Sequence, residues 1–226
     1  MPETIWPMAL GEYSKDVEDV AEVVLKTWPL VRRDFPWRHS GDPWRILLAE
    51  ILLIQTKAEM VVKVYDHLVA LFPTPCALTS ADGEQLEELL KPLGLYRQRA
   101  QRLLRMAEYL RRVHDCKVPC DYEMLRRIPG VGDYIAAAVY IVACGGSAPL
   151  LDANIARILS RTVLGVDPPR RYMTDGTLGR LAGLLKWDRK LAYAFIDFAA
   201  AFCTPRRPRC NACPLRSHCK YGNRYV

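Results

Sequence analysis

The chain has 226 residues, half of them hydrophobic, with 32 basic against 25 acidic side chains and a formal net charge of +7. That is enough apolar material for one large core or two modest ones, and it excludes a disordered chain. No apolar run reaches the roughly 18 residues of a membrane span, and residues 1–10 lack the basic, then apolar, then small-residue order of a signal peptide, so neither a membrane nor export is expected.

In chain order, Ser14 is placed to cap a first helix whose Val17, Val20, Ala21 and Val24 share one face, and Pro29 is expected to end it. Residues 33–39 read as extended, held so by Pro36, and Asp42-Pro43 is a start signal for the next helix. His39 has no obvious ligand partner and reads as a surface or hydrogen-bonding side chain. The helix that follows, through Gln55-Thr56, is apolar nearly all round and must be buried, with Glu50 as its exception. A carboxylate in such a run has to be paired, protonated or functional, because burying an uncompensated charge is expensive. Amphipathic helices are then expected over 59–72, 85–91 and 97–113, separated by breakers at 73–75 and 92–94. Arg99, Arg102 and Arg105 at helical spacing read as a solvated face.

Pro129-Gly130-Val131-Gly132 interrupts a helical pattern and is followed at once by the alanine-rich stretch 135–139. This reads as helix, tight hairpin, helix. Gly130 and Gly132 allow φ > 0, and the first N–H groups of the second helix point outward without partners, which together make a phosphate site. A plain loop between packed helices would carry the same short motif. Cys203, Cys210, Cys213 and Cys219 lie within one proline-rich loop in the spacing C-x6-C-x2-C-x5-C. Tetrahedral zinc and a [4Fe–4S] cluster both accept four thiolates. The other four cysteines, Cys76, Cys116, Cys120 and Cys144, are scattered and read as small buried or half-buried residues.

These motifs together resemble the helix-hairpin-helix superfamily of base-excision DNA glycosylases, which contains endonuclease III, the adenine glycosylase MutY and the thymine/guanine mismatch glycosylases. The resemblance is carried by the hairpin at 129–132, the element GLYRQRA at 94–100, Asp152 in LDANIAR standing 152 − 134 = 18 residues after Tyr134, and the cysteine spacing, and it spans roughly residues 34–219. It implies an all-α, two-lobed fold: a six-helix bundle over 42–148 carrying the hairpin, and a discontinuous lobe of 1–41 with 149–226 bearing a [4Fe–4S] cluster on Cys203, Cys210, Cys213 and Cys219, with the active site at their junction. It also implies residue roles. Asp152 would be the carboxylate beside C1′, Glu50 a carboxylate of the base pocket, and Tyr134 would occupy the place where bifunctional relatives carry a Schiff-base lysine. Gly130, Val131 and Gly132 would meet a phosphate, while Gln55 and Tyr96 would lie at the gap left by the extruded nucleotide.

Because a phenol cannot form an imine, the expected glycosylase is monofunctional, and Tyr134 at this place resembles the thymine/guanine mismatch glycosylases, which implies release of T or U opposite G. The expected partner is double-stranded DNA with a mismatch or damaged base, bound by a monomer in the cytoplasm at the nucleoid. An adenine glycosylase acting on A opposite G or 8-oxoguanine is the alternative, opposed by the mere seven residues after Cys219, too few for the further domain with which MutY reads 8-oxoguanine. An endonuclease III-like lyase and an inactive DNA-binding module are the remaining readings; Asp152 and Glu50 together oppose the latter.

Overall fold

The computed structural model describes residues 11–224, and every regular element among them is helical. Residues 1–10, on which the reading of export signals rests, lie outside the described residues. Two compact units form, residues 34–147 and residues 1–33 with 148–226. The boundary expected at 41/42 lies at 33/34, because residues 34–41 belong with the helices after them. Pro36–His39 is a 3-10 turn rather than an extended strand, and its buried Trp37 stacks on Phe35 at 4.9 Å and meets the edge of Tyr65 at 5.3 Å. His39 does have a partner, since its Nε2 lies 2.6 Å from an Asp34 carboxylate oxygen.

In the unit that includes both chain ends, α1 (Gly11–Val31) buries Val17, Val20, Ala21 and Val24 as the periodicity requires. Two expectations about its ends are corrected. Ser14 lies inside the helix and donates to Glu18 (3.1 Å) instead of capping it, and the helix runs two residues past Pro29. A proline so near the C-terminus removes only one of the last N–H donors, and the turn beyond it is anchored by tertiary bonds. Those bonds converge on Asp197, which is 1% exposed and accepts from Trp28 Nε1 (2.9 Å), Arg33 N (3.2 Å) and Arg33 Nε (2.8 Å).

The unit at 34–147 is built around α2 (Pro43–Leu53). Asp42 caps it by accepting from Trp44 N at 2.8 Å, Pro43 fills the first turn, and Ile46, Leu47, Leu48, Ala49, Ile51 and Leu52 are buried. At roughly 1.5–3 kcal/mol for each buried aliphatic side chain, this one helix supplies a large share of the unit's stability. Around it lie α3 (Ala58–Leu71), α4 (Pro75–Thr79), α5 (Gly83–Leu90), α6 (Tyr96–His114), α7 (Tyr122–Arg126) and α8 (Asp133–Val142). Helix α4 stands where only a breaker was expected, because Thr74 accepts from Ala77 N and Pro75 fits a first helical turn.

The four scattered cysteines are not free thiols. Cys76 is bonded to Cys116 and Cys120 to Cys144, each pair with Cα atoms 5.4 Å apart. Helices α4 and α6 pack together, as do α7 and α8, and this brings distant cysteines within reach of each other.

The chain then returns to the first unit with α9 (Ala153–Leu159), which continues as a π-helical turn over Ser160–Leu164, followed by α10 (Gly176–Gly183) and α11 (Arg189–Ala201). After α11 come three short 3-10 turns, Cys210–Ala212, Arg216–His218 and Gly222–Arg224. No helix among the described residues is long and apolar enough to cross a membrane.

Candidate functional site

In the 34–147 unit, the hairpin joins α7 to α8. Gly130 adopts φ 85°, a left-handed conformation, whereas Gly132 is extended at φ −93°, so only the first glycine is needed for its φ. A side chain at 130 would also crowd Arg102, since its Cβ would lie 3.0 Å from Arg102 Cγ and the arginine would have to shift. Gly132 occupies the N-cap of α8 and offers no side-chain cap, so the positive end of that helix is not closed by a capping side chain of its own. Val131 is buried and its N–H donates to Ile128 O (3.0 Å), so it closes the turn rather than presenting a donor, a correction to the expected phosphate contact. The neighbouring acid Asp133 is neutralised by Arg126 Nε at 2.5 Å. Helix α8 packs against α2. Tyr134 and Glu50, both half-buried, are therefore carried on packed helices of one unit.

Left-handed backbone at residues other than glycine occurs at three places in this unit: Asp115-Cys116, at the Cys76–Cys116 bridge, and two exposed loop tips. Gln55, after α2, has φ 53°, and Leu95, before α6, has φ 50° and is 57% exposed. Tyr96 is half-buried, with the Arg97 guanidinium 5.7 Å from its ring centre, so the more prominent side chain of this loop is Leu95, which the sequence reading missed. A Gly-Leu pair just before a helix was the available signal. Arg99 is a further correction: it is 7% exposed rather than solvated, while Arg105 is exposed and donates to Gln101 O.

In the other unit, Asp152 is the N-cap of α9. Its Oδ1 accepts from Asn154 N (2.9 Å) and Ile155 N (2.7 Å), and its Oδ2 from Asn154 Nδ2 (2.8 Å). Burial pushes its carboxyl above the ordinary aspartate value, against the Ile155 and Asn154 hydrogen bonds and the Arg157 charge, which pull it down. Tyr172 titrates higher than usual through burial and then through the Asp152 charge. The chain of bonds continues, since Arg157 Nη2 donates to Asn154 Oδ1 (2.9 Å) and Arg157 Nε to Cys203 O (2.5 Å). Asp152 is thereby linked through two side chains to the first cysteine of the C-terminal loop. Asn154 and Arg157 were in view in LDANIAR, yet nothing local marks them as links.

Cys203, Cys210, Cys213 and Cys219 are free and line a single cavity of about 30 Å³ together with Ile158 and Phe198. Arg161 holds the loop's beginning, donating to Thr204 O (2.9 Å), Pro205 O (3.0 Å) and, at 3.6 Å, Cys203 Sγ, while Asp167 accepts from its Nε (2.7 Å). Burial pushes the Cys213 thiol up to about 11, and Cys219 upward too. Thiols so placed stay protonated at neutral pH unless a metal takes the protons' place.

The family described as HhH-GPD superfamily base excision DNA repair protein matches residues 48–177, which hold the hairpin, both loop tips and Asp152. The chain belongs to this family. The iron–sulfur binding domain of endonuclease III matches residues 203–219, and the four thiols on one cavity fit that assignment, so the C-terminal loop of this glycosylase-family chain is an iron–sulfur site. The thymine-DNA glycosylase of Aeropyrum pernix is 42% identical over 84% of this chain and 88% of its own length. The thymine/uracil-DNA glycosylase of Pyrobaculum aerophilum is 39% identical over 82% of this chain and 83% of its own. Among solved structures, a thermostable thymine-DNA glycosylase superposes with a TM-score of 0.85 at 30% identity, covering 93% of this chain and 98% of that one. DNA is thus the partner of this base-excision repair fold. The all-helical architecture expected from the motifs is confirmed.

Proposed function

We propose that the protein is a monofunctional DNA glycosylase that extrudes T or U from opposite G and hydrolyses its N-glycosidic bond, leaving an abasic site. The observation that carries this reading is Asp152, a carboxylate locked by three hydrogen bonds and short of solvation. Once the base is out of the stack, the C1′–N1 bond breaks with its electron pair leaving on the base, and the sugar develops oxocarbenium character. Asp152 stabilises that positive charge and takes a proton from the water that adds to C1′. Its position is set before the substrate arrives, because Asn154 and two backbone N–H groups fix both oxygens.

Tyr134 supplies no amine, so strand scission through a Schiff base does not follow. Glu50 contacts the extruded pyrimidine or places the water. Gly130 and Gly132 offer backbone N–H groups to a phosphate, with Val131, whose own N–H is donated to Ile128 O, holding the turn between them, and Gln55 and Tyr96 fill and flank the space the nucleotide vacates. Cys203, Cys210, Cys213 and Cys219 hold a [4Fe–4S] cluster, which binds four thiolates and ties the C-terminal loop into one rigid piece. What supports a cluster over a single zinc is the endonuclease III iron–sulfur match over residues 203–219, together with four free thiols lining one pocket. The enzyme acts as a monomer on mismatched duplex DNA.

Purified protein on duplexes with T/G, U/G, A/G and A/8-oxoguanine pairs, treated with alkali after reaction, tests the reading. Cleavage of the T/G and U/G strands that depends on alkali is expected. Excision confined to adenine, or nicking without alkali, would overturn it.

A further inference from the structure

Arg99, in the first turn of α6, is a buried guanidinium whose partners are neutral oxygens. Its Nε donates to Gly94 O (2.9 Å), Nη1 to Leu52 O (3.2 Å), and Nη2 to Ile54 O (2.9 Å) and Thr56 Oγ1 (2.5 Å). No carboxylate among the described residues forms an ion pair with it, so its position is stabilised by acceptor geometry rather than by an opposite charge. The acceptors come from two places far apart in sequence. Leu52 and Ile54 carbonyls lie at the C-terminus of α2, where backbone acceptors are left over and a cation is favoured, and Thr56 lies in the loop after it. The Gly94 carbonyl belongs to the loop before α6.

Both loops are strained where they protrude. Gln55 and Leu95 hold left-handed backbone, at a cost of roughly 1–2 kcal/mol each for residues with a Cβ. Such conformations persist only where surrounding structure over-determines them, and they concentrate where a side chain must be aimed. One planar fork of donors grips the carbonyl next to each strained residue, Ile54 O beside Gln55 and Gly94 O beside Leu95.

We propose that Arg99 is a positioning residue for DNA, a rivet that holds the Gln55 loop and the Leu95-Tyr96 loop at one fixed spacing so that both enter the duplex together as the target base leaves. The inference rests on the glycosylase reading and adds to it the part that couples the two loops. Lysine cannot replace this arginine, because three donors on one nitrogen do not span acceptors spread over two loops.

The test compares native protein, Arg99→Lys and Thr56→Val on two substrates under single-turnover conditions: a duplex with U opposite G, and the same U left unpaired in a single strand. An unpaired base needs little extrusion, so its excision bypasses the loops. Arg99→Lys is expected to slow excision from the duplex by about 10- to 100-fold, as misplacement of positioning elements by about 1 Å does, and to leave the unpaired substrate within about threefold. Thr56→Val, which removes one acceptor and leaves the carbonyls, is expected to lose about three- to tenfold on the duplex alone. It carries the comparison by itself if Arg99→Lys fails to fold, as judged by thermal melting. Equal losses on both substrates, or no loss on the duplex in folded variants, would overturn the inference while the glycosylase reading stood. Native protein that cuts neither substrate would overturn the glycosylase reading, and this inference with it.

Discussion

Asp152 serves two masters, and two substitutions separate them. As N-cap of α9 it accepts from Asn154 N and Ile155 N through Oδ1, and it receives Asn154 Nδ2 on Oδ2. Asp152→Asn keeps one oxygen for the backbone N–H groups but turns an amide donor toward Asn154 Nδ2. That loss is about 1 kcal/mol for one hydrogen bond. It is opposed by relief of a buried charge, since the raised carboxyl value means ionisation is unfavourable in the fold. The net change in stability should therefore be small, with melting shifted by no more than about 2–4 °C for each kcal/mol left over in a chain of this size. Asp152→Ala removes the cap altogether, about 1 kcal/mol by itself and up to about 2 in tight caps, so it should melt lower than the asparagine variant.

Excision orders the pair differently. Both variants lose the charge that stabilises the oxocarbenium-like sugar, a contribution comparable to a preorganised electrostatic donor, about 3–4 kcal/mol or about 100- to 1,000-fold in rate. Single-turnover excision from a T/G duplex should thus fall at least that far in both, while mismatch binding measured by fluorescence anisotropy stays within about threefold for Asp152→Asn. If Asp152→Asn excises within about tenfold of native protein, the charge is not the catalytic element. If it loses binding as steeply as rate, Asp152 acts by shaping the fold, and the mechanism above is wrong.

The raised carboxyl value also sets the pH profile. Excision should fall on acidification with a midpoint above the ordinary aspartate value of 3.8, and Asp152→Asn should lack that limb. A group raised in the folded state contributes stability that is complete below its unfolded value and is lost as pH rises through the folded one, so this carboxyl favours folding in the same acidic range where activity declines; parallel loss of both on the acid side through Asp152 would contradict the assignment. Reduction of Cys76–Cys116 and Cys120–Cys144, whose cysteines stand 40 and 24 residues apart, should destabilise the 34–147 unit by about 3–4 kcal/mol for each bond on the loop-entropy estimate, read as a drop in melting temperature with a reductant that leaves the cluster's colour intact. An unchanged melt would mean that the pairs do not form in solution. Tyr134→Lys places an amine on α8 and should yield a variant that borohydride traps on DNA, as native protein is not; trapping of native protein would locate a nucleophilic lysine elsewhere.

What the sequence made legible were the features whose physics is local. A helix face with period 3.6, the Asp42-Pro43 start, the glycine at Gly130 and four cysteines in one loop each follow from neighbours a few residues away, and the structure has them where the spacing put them. The errors lie where distant partners decide. Pro29 breaks a helix by local rules, but the turn after it is held by Asp197, more than 160 residues away. The scattered cysteines look like single thiols until the packing of α4 on α6 and α7 on α8 brings them into pairs.

Arg99 shows the limit most clearly. Its charge and its spacing with Arg102 and Arg105 assign it to solvent, and within α6 nothing contradicts that. Its acceptors are the carbonyls at the end of a helix 45 residues upstream, groups that every residue possesses and that no side-chain pattern can advertise. A buried cation satisfied by backbone oxygens is therefore silent in a single sequence, although a Gly-Leu pair in left-handed conformation beside it leaves a trace. The same holds for Asn154 and Arg157. Their side chains become links only because Cys203 O arrives from a loop that folds back onto α9, and it is that return of the cysteine loop, rather than the motif around Asp152, that joins the iron–sulfur site to the proposed catalytic carboxylate.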